Sequence, residues 1–208
     1  MESVTNIIYV FDLFGTLIFA ITGALRGVQK ELDFLGVIVF ACTVGCGGGM
    51  LRDSLIGATP AAALTDWAYL VICVIVGVVI FFVGPHMDSR KKVLIYCDAL
   101  GLGVFTSIGV AKGGLYGCSL AGQLLCGVIT AVGGGMIRDV LSKEIPAVLT
   151  SDIYATASLA GGIVYLLLEH FGLPLGWLYA CCTLTVVLLR AWAIKFHLRL
   201  PRSNTHVS

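Results

Sequence analysis

The sequence predicts an all-α membrane protein of seven transmembrane helices, arranged as two inverted three-helix repeats plus a seventh helix. Three observations predict it: composition, a series of apolar stretches with lopsided flanking charge, and a self-match at an offset of 86 residues. Of 208 residues, 58% are hydrophobic and only 12% charged, and the mean hydropathy is +0.99. A soluble domain of this length is about a quarter charged. Those proportions exclude a disordered chain, a nucleic-acid binder and a water-soluble enzyme. The net charge of +1 points to no partner by itself.

Seven apolar stretches follow one another: Val4–Leu25, Asp33–Leu51, Asp66–Val83, Val93–Ala111, Tyr116–Ile137, Asp152–Leu168 and Leu173–Ile194. The hydrocarbon layer offers backbone groups no water to bond, so spans of this length are helices. Val4–Leu25 lacks a basic leader and reads as a first span rather than a cleavable signal. If the spans alternate, Arg52 and Lys112 lie on one side of the membrane. The other eleven of the 13 Lys and Arg lie on the opposite side. The positive-inside rule then places the C-terminus in the cytoplasm and the N-terminus outside. One membrane domain results: a first repeat at 4–85, a second at 91–170, a seventh helix at 173–195 and a cytoplasmic tail at 196–208. Cys42, Cys46, Cys73, Cys97, Cys118, Cys126, Cys181 and Cys182 lie in or beside apolar segments without a CxxC pair. They read as buried thiols. The four histidines show no metal-ligand spacing, so no metal site is expected.

Laid on itself at an offset of 86, the chain matches at 16 of the 55 positions from Asp12 to Asp66 without a gap. Asp12, Gly15, Phe19, Gly23 and Gly27 fall on Asp98, Gly101, Phe105, Gly109 and Gly113. Gly47–Met50 falls on Gly133–Met136, and Arg52-Asp53 falls on Arg138-Asp139. Such a match marks a duplication. Three spans per copy is an odd number, so the second copy crosses in the opposite sense, with the functional site expected at the interface.

The triplets Gly47, Gly48, Gly49 and Gly133, Gly134, Gly135 carry the strongest site signal. Three consecutive glycines cost a helix about 2–3 kcal/mol against alanine. They predict a kink or break in spans 2 and 5 that frees carbonyls toward a watery lumen. Close helix packing is the plain structural alternative. Asp12 and Asp98 sit inside apolar spans, where an ionised carboxylate costs several kcal/mol unless paired or hydrated. With Arg52, Asp53, Arg138, Asp139 and Lys112 they are expected to line the two mouths of a path, some pairing across the repeat axis. An interfacial cap is the competing reading of these charges. Arg26, the mate of Lys112, either neutralises the acids or reaches for the interface. Thr43, Thr130, Thr106 and Ser107 are candidate hydroxyls for a polar lumen. No nucleophile elbow, phosphate-binding loop or histidine pair points to an enzyme.

Seven spans as three plus three plus one, with GGGMLRD at 47–53 and GGGMIRD at 133–139, resemble the bacterial branch of the trimeric intracellular cation (TRIC) channels. That branch is also described as glycine transporters. The resemblance covers nearly the whole chain. It implies a homotrimer in membrane lipid, with one pore per protomer between kinked spans 2 and 5, bordered by spans 1 and 4. Potassium and sodium would permeate passively and no cofactor is implied. A secondary transporter of glycine or another small zwitterion is the alternative, because broken helices in inverted repeats also build transporters. A structural or assembly protein would leave the repeated Arg-Asp unexplained.

Overall fold

The computed structural model describes residues 2–87, 90–150 and 153–196. Among them are nine α-helices and no strand: α1 (Glu2–Gln29), α2 (Phe34–Leu55), α3 (Ala62–Thr65), α4 (Trp67–Val83), α5 (Arg90–Leu115), α6 (Leu120–Leu141), α7 (Ala147–Thr150), α8 (Ala155–His170) and α9 (Leu175–Phe196). Six are long and apolar enough to cross a membrane: α1, α2, α4, α5, α6 and α9. The sixth expected span, Asp152–Leu168, is matched by helix α8, which starts three residues later and ends two residues later. It has 16 residues, a rise of roughly 24 Å, and falls outside the six helices long and apolar enough to cross. Asp152, mate of Asp66 in the self-match, and the tail at 197–208 lie outside the described residues.

Helix boundaries recur at the same offset. Asp33 caps α2 by accepting the Gly36 amide at 2.7 Å, and Ser119 caps α6 by accepting the Gly122 amide at 3.2 Å. Each side chain satisfies an amide left unpaired at the start of a helix. Helices α1 and α5 are followed by the left-handed residues Glu31 and Gly117, and α2 and α6 by Gly57 and Lys143 in the same conformation. The backbone bond Ala58 N to Asp53 O at 2.8 Å is matched by Glu144 N to Asp139 O at 2.9 Å. Thus the turn geometry repeats even where the residue type does not.

Packing repeats as well. Phe19 and Phe105, both buried, meet each other in the core with ring centroids 5.1 Å apart. Helix α5 is buried on every side from Gly101 to Ala111, which explains its continuous apolar run. Helices α1 and α5 pack together, as do α2 and α6. At the second crossing a Cβ on Gly48 would collide with the Thr130 carbonyl oxygen. A Cβ on Gly134 would come within 2.6 Å of the Val44 carbonyl oxygen. Val44 and Thr130 are themselves mates at the 86-residue offset.

This crossing corrects the expectation of a break. Helices α2 and α6 run as uninterrupted α-helix through both triplets. The glycines bring two bare backbones together, and close contact between helices offsets their poor helix propensity.

Candidate functional site: two buried charge clusters

Helices α1, α2, α5 and α6 carry one charge cluster near each end of the α2–α6 crossing. At the first, Asp12 projects from α1 toward Arg52 on α2. The guanidinium grips the carboxylate with two nitrogens, at 3.3 and 3.1 Å, while its Nε donates to Asp53 at 2.8 Å. Tyr69 of α4 donates its hydroxyl to Asp12 at 3.1 Å. Lys112, from the far end of α5, lies 3.3 Å from Asp53 and 3.6 Å from Asp12. The other oxygen of Asp53 accepts the Ala62 amide at 3.1 Å and so starts the single turn of α3. All three residues of the Arg52 triad are 2% exposed or less. A buried ion pair persists only when its remaining hydrogen-bonding capacity is used, and here it is.

The second cluster repeats the first with changes. Arg138 donates to Asp98 at 2.7 Å and to Asp139 at 2.9 Å, and Asp139 accepts the Ala147 amide at 2.8 Å, starting α7. Arg26, the mate of Lys112, approaches Asp139 at 3.9 Å and Glu144 at 3.0 Å, and Lys30 adds 2.8 Å to Glu144. Arg26 and Lys112 therefore each reach from one half of the chain to the acids of the other. In each pair the aspartate caps a short helix and the arginine binds the buried aspartate of the neighbouring helix. Helix α9 contributes Arg190, whose guanidinium lies 4.6 Å from the Tyr154 ring centroid and donates to the Ile153 carbonyl at 2.9 Å.

The two ends differ in space. A cavity of about 10 Å³ touches Asp12, Arg52, Asp53 and Thr16, whereas about 260 Å³ opens beside Asp98, Arg138, Asp139 and Arg190. The core between them includes Phe19, Phe105, Val44, Leu102 and Ile108, all at most 1% exposed.

The structure brings Asp12, Arg52, Asp53 and Lys112 into one group and Asp98, Arg138 and Asp139 into the other. It does not bring the candidate hydroxyls to either. Thr43, Thr106, Ser107 and Thr130 donate to carbonyls within their own helices, and Thr106 also meets Ser158 at 2.7 Å. Sequence reasoning missed Tyr69, Tyr154, Glu144 and Arg190. Tyr69 and Tyr154 occupy matching places one residue off the 86-residue register, so an ungapped match passes over them. Among the described residues no group of three or more His, Cys, Asp or Glu is arranged to hold a metal ion.

An all-helical membrane protein with reciprocal clusters at the two ends of a helix crossing is the class that this fold and site define. A family described as "Glycine transporter" matches residues 9–85 and, a second time, 95–170. The solved structure of the TRIC trimeric intracellular cation channel orthologue from Rhodobacter sphaeroides has a TM-score of 0.89 and 34% identity, covering 92% of this chain and 99% of that one. A UPF0126 membrane protein of Vibrio cholerae is 39% identical over 198 residues, 95% of this chain and 83% of its own. The UPF0126 inner membrane protein YadS of Escherichia coli strain K12 is 38% identical over 200 residues, covering 94% and 95%. The chain belongs to this glycine-transporter family and has the fold of its TRIC cation channels. Its structural relatives are ion channels, not enzymes.

Proposed function

We propose that the protein is a homotrimeric channel that passively conducts monovalent cations, chiefly potassium and sodium, through a route in each protomer between α2 and α6. The observation that carries this reading is the pair of reciprocal charge clusters, Asp12–Arg52–Asp53–Lys112 and Asp98–Arg138–Asp139–Arg26, at opposite ends of one glycine crossing. The seven long helices are then two inverted repeats, α1–α2–α4 and α5–α6–α8, with α9 added. The N-terminus is periplasmic and the C-terminus cytoplasmic in an inner membrane, so the Asp12 cluster faces the periplasm. In this conformation the route is closed where Gly48 meets Gly134, and conduction requires α2 and α6 to part there. Selectivity is modest, because no ring of carbonyls strips the ion of its water.

Purified protein in a planar bilayer under a potassium gradient tests this. Unitary currents whose reversal potential follows potassium are expected, and a membrane without such currents would refute the channel. The unequal cavities favour one second reading, a secondary transporter for glycine that is sealed at one end and open at the other. Saturable glycine uptake without unitary current would establish it instead.

A further inference from the structure

Helix α9 carries a buried cation whose charge is left unmatched. Arg190 is 7% exposed. Its Nη1 donates to the Ile153 carbonyl at 2.9 Å, and the Tyr154 ring covers one face of the guanidinium at 4.6 Å. Its Nε has no hydrogen-bond partner, and among the described residues no carboxylate forms an ion pair with it. The acids nearby are already taken: Asp98 and Asp139 by Arg138, and Glu144 by Arg26 and Lys30. Three carboxylates thus face Arg138, Arg26 and Lys30, and Arg190 is left over. A buried charge is costly without a counter-ion. An aromatic face eases that cost but carries no net charge.

Arg190 borders the cavity of about 260 Å³. At roughly 30 Å³ per water molecule, that is room for about eight waters. Part of the wall is apolar, made by Leu94, Ile95, Ile145 and Ala147. We infer that this cavity binds a short-chain monocarboxylate of the acetate and propionate class, with its carboxylate on Arg190 and its alkyl end against Ile95 and Ala147. Each part of the ligand answers a part of the site. Guanidinium donors form strong, charge-assisted bonds to a carboxylate. One unmatched cation takes one negative charge, so a phosphate dianion overshoots. A zwitterion such as glycine brings an ammonium that finds Asp98, Asp139 and Glu144 already paired, and it has no alkyl end for the apolar wall. The ligand is therefore neither the cation of the channel reading nor the zwitterion of the transporter reading, and the site depends on neither.

Propionate is the probe, observed by saturation-transfer NMR on the purified protein in a detergent that carries no carboxylate. Transfer to its methyl group is expected with the intact protein, abolished by excess acetate and lost in Arg190→Gln. That arginine also holds the turn before α8, so a second variant leaves it in place. Ala147→Phe fills the apolar end and should weaken propionate binding about tenfold; it decides the matter if Arg190→Gln does not fold. Glycine should compete about tenfold less well than acetate. Absence of transfer to the intact protein, or unchanged transfer in both variants, would overturn the inference. Glycine competing as well as acetate would assign the cavity to a zwitterion and overturn it too. So would propionate binding that appears only in Asp152→Asn, because the anion for Arg190 would then belong to the chain itself. The readout needs no current, so it stands whether or not the protein conducts.

Discussion

At the scale of single residues, the chemistry is concentrated in two arginines whose surroundings are fully organised. Arg52 satisfies Asp12 and Asp53 together, so removing it leaves two buried carboxylates sharing one described cation, Lys112, with the neutral donors Tyr69 and the Ala62 amide. Breaking such a pair costs about 3–5 kcal/mol, whereas neutralising both members costs much less. Arg52→Met should therefore lower the thermal midpoint sharply in detergent, and adding Asp12→Asn should recover much of the loss. A double-mutant cycle with additive effects would show that the pair is not coupled. These residues were legible in the sequence because an intramembrane acid needs a partner and because each occurred twice. Their partners from other helices were not. Tyr69 has no charge to mark it, and Glu144 lies in a polar turn where an acid is unremarkable; only the fold brings it to Arg26 and Lys30.

At the scale of elements, the duplication and nearly all the helices were legible in the sequence, while the break expected at the glycines is absent from α2 and α6. A triplet is poor helix former and good contact surface at once, and one chain in isolation cannot show whether another backbone is near. Here it is: Gly134 faces the Val44 carbonyl and Gly48 the Thr130 carbonyl. An added methyl must wedge the crossing, at a cost of about 1–3 kcal/mol for overpacking. Gly134→Ala should lower the melting temperature and raise channel open probability with unitary conductance unchanged; a variant of reduced open probability would mean that the crossing is not the seal. Helix α8 lies three residues later at its start and two residues later at its end than the expected Asp152–Leu168. The duplicated turns yield another prediction. Lys143 holds the left-handed conformation that Gly57 holds in the first repeat. Glycine escapes the clash of Cβ with backbone in that region. Lys143→Gly should stabilise the protein by about 0.5–1 kcal/mol, seen as a higher melting temperature, and a fall would show that the lysine side chain contributes more than its backbone strain costs.

At the scale of the whole molecule, pseudo-symmetry stops at the electrostatics. Beyond the Asp98 cluster lies a vestibule of about 930 Å³ bordered by Arg26, Lys30, Arg90, Lys91 and Lys92 against Glu31 and Glu144, so five positive charges face two negative ones. The cavity described at the Asp12 end is about 10 Å³. A concave region of one sign depletes ions of that sign. For the channel and orientation proposed above, potassium entering from this side meets a lower local concentration than potassium entering from the other, and current should be smaller outward than inward in symmetric solutions. The asymmetry must depend on salt, since the screening length falls from about 30 Å at 0.01 M to about 3 Å at 1 M. Replacing Lys91 and Lys92 together by glutamate changes the lining from net +3 to −1, two units for each substitution. The double variant should reverse the rectification at low salt and match the parent at 1 M. Helix propensity at these exposed positions barely changes, since lysine and glutamate rank alike, so the comparison isolates charge. Current ratios at equal and opposite voltages provide the measurement. Identical ratios for parent and variant in dilute KCl would place the conducting route away from this vestibule, and with it away from the α2–α6 crossing.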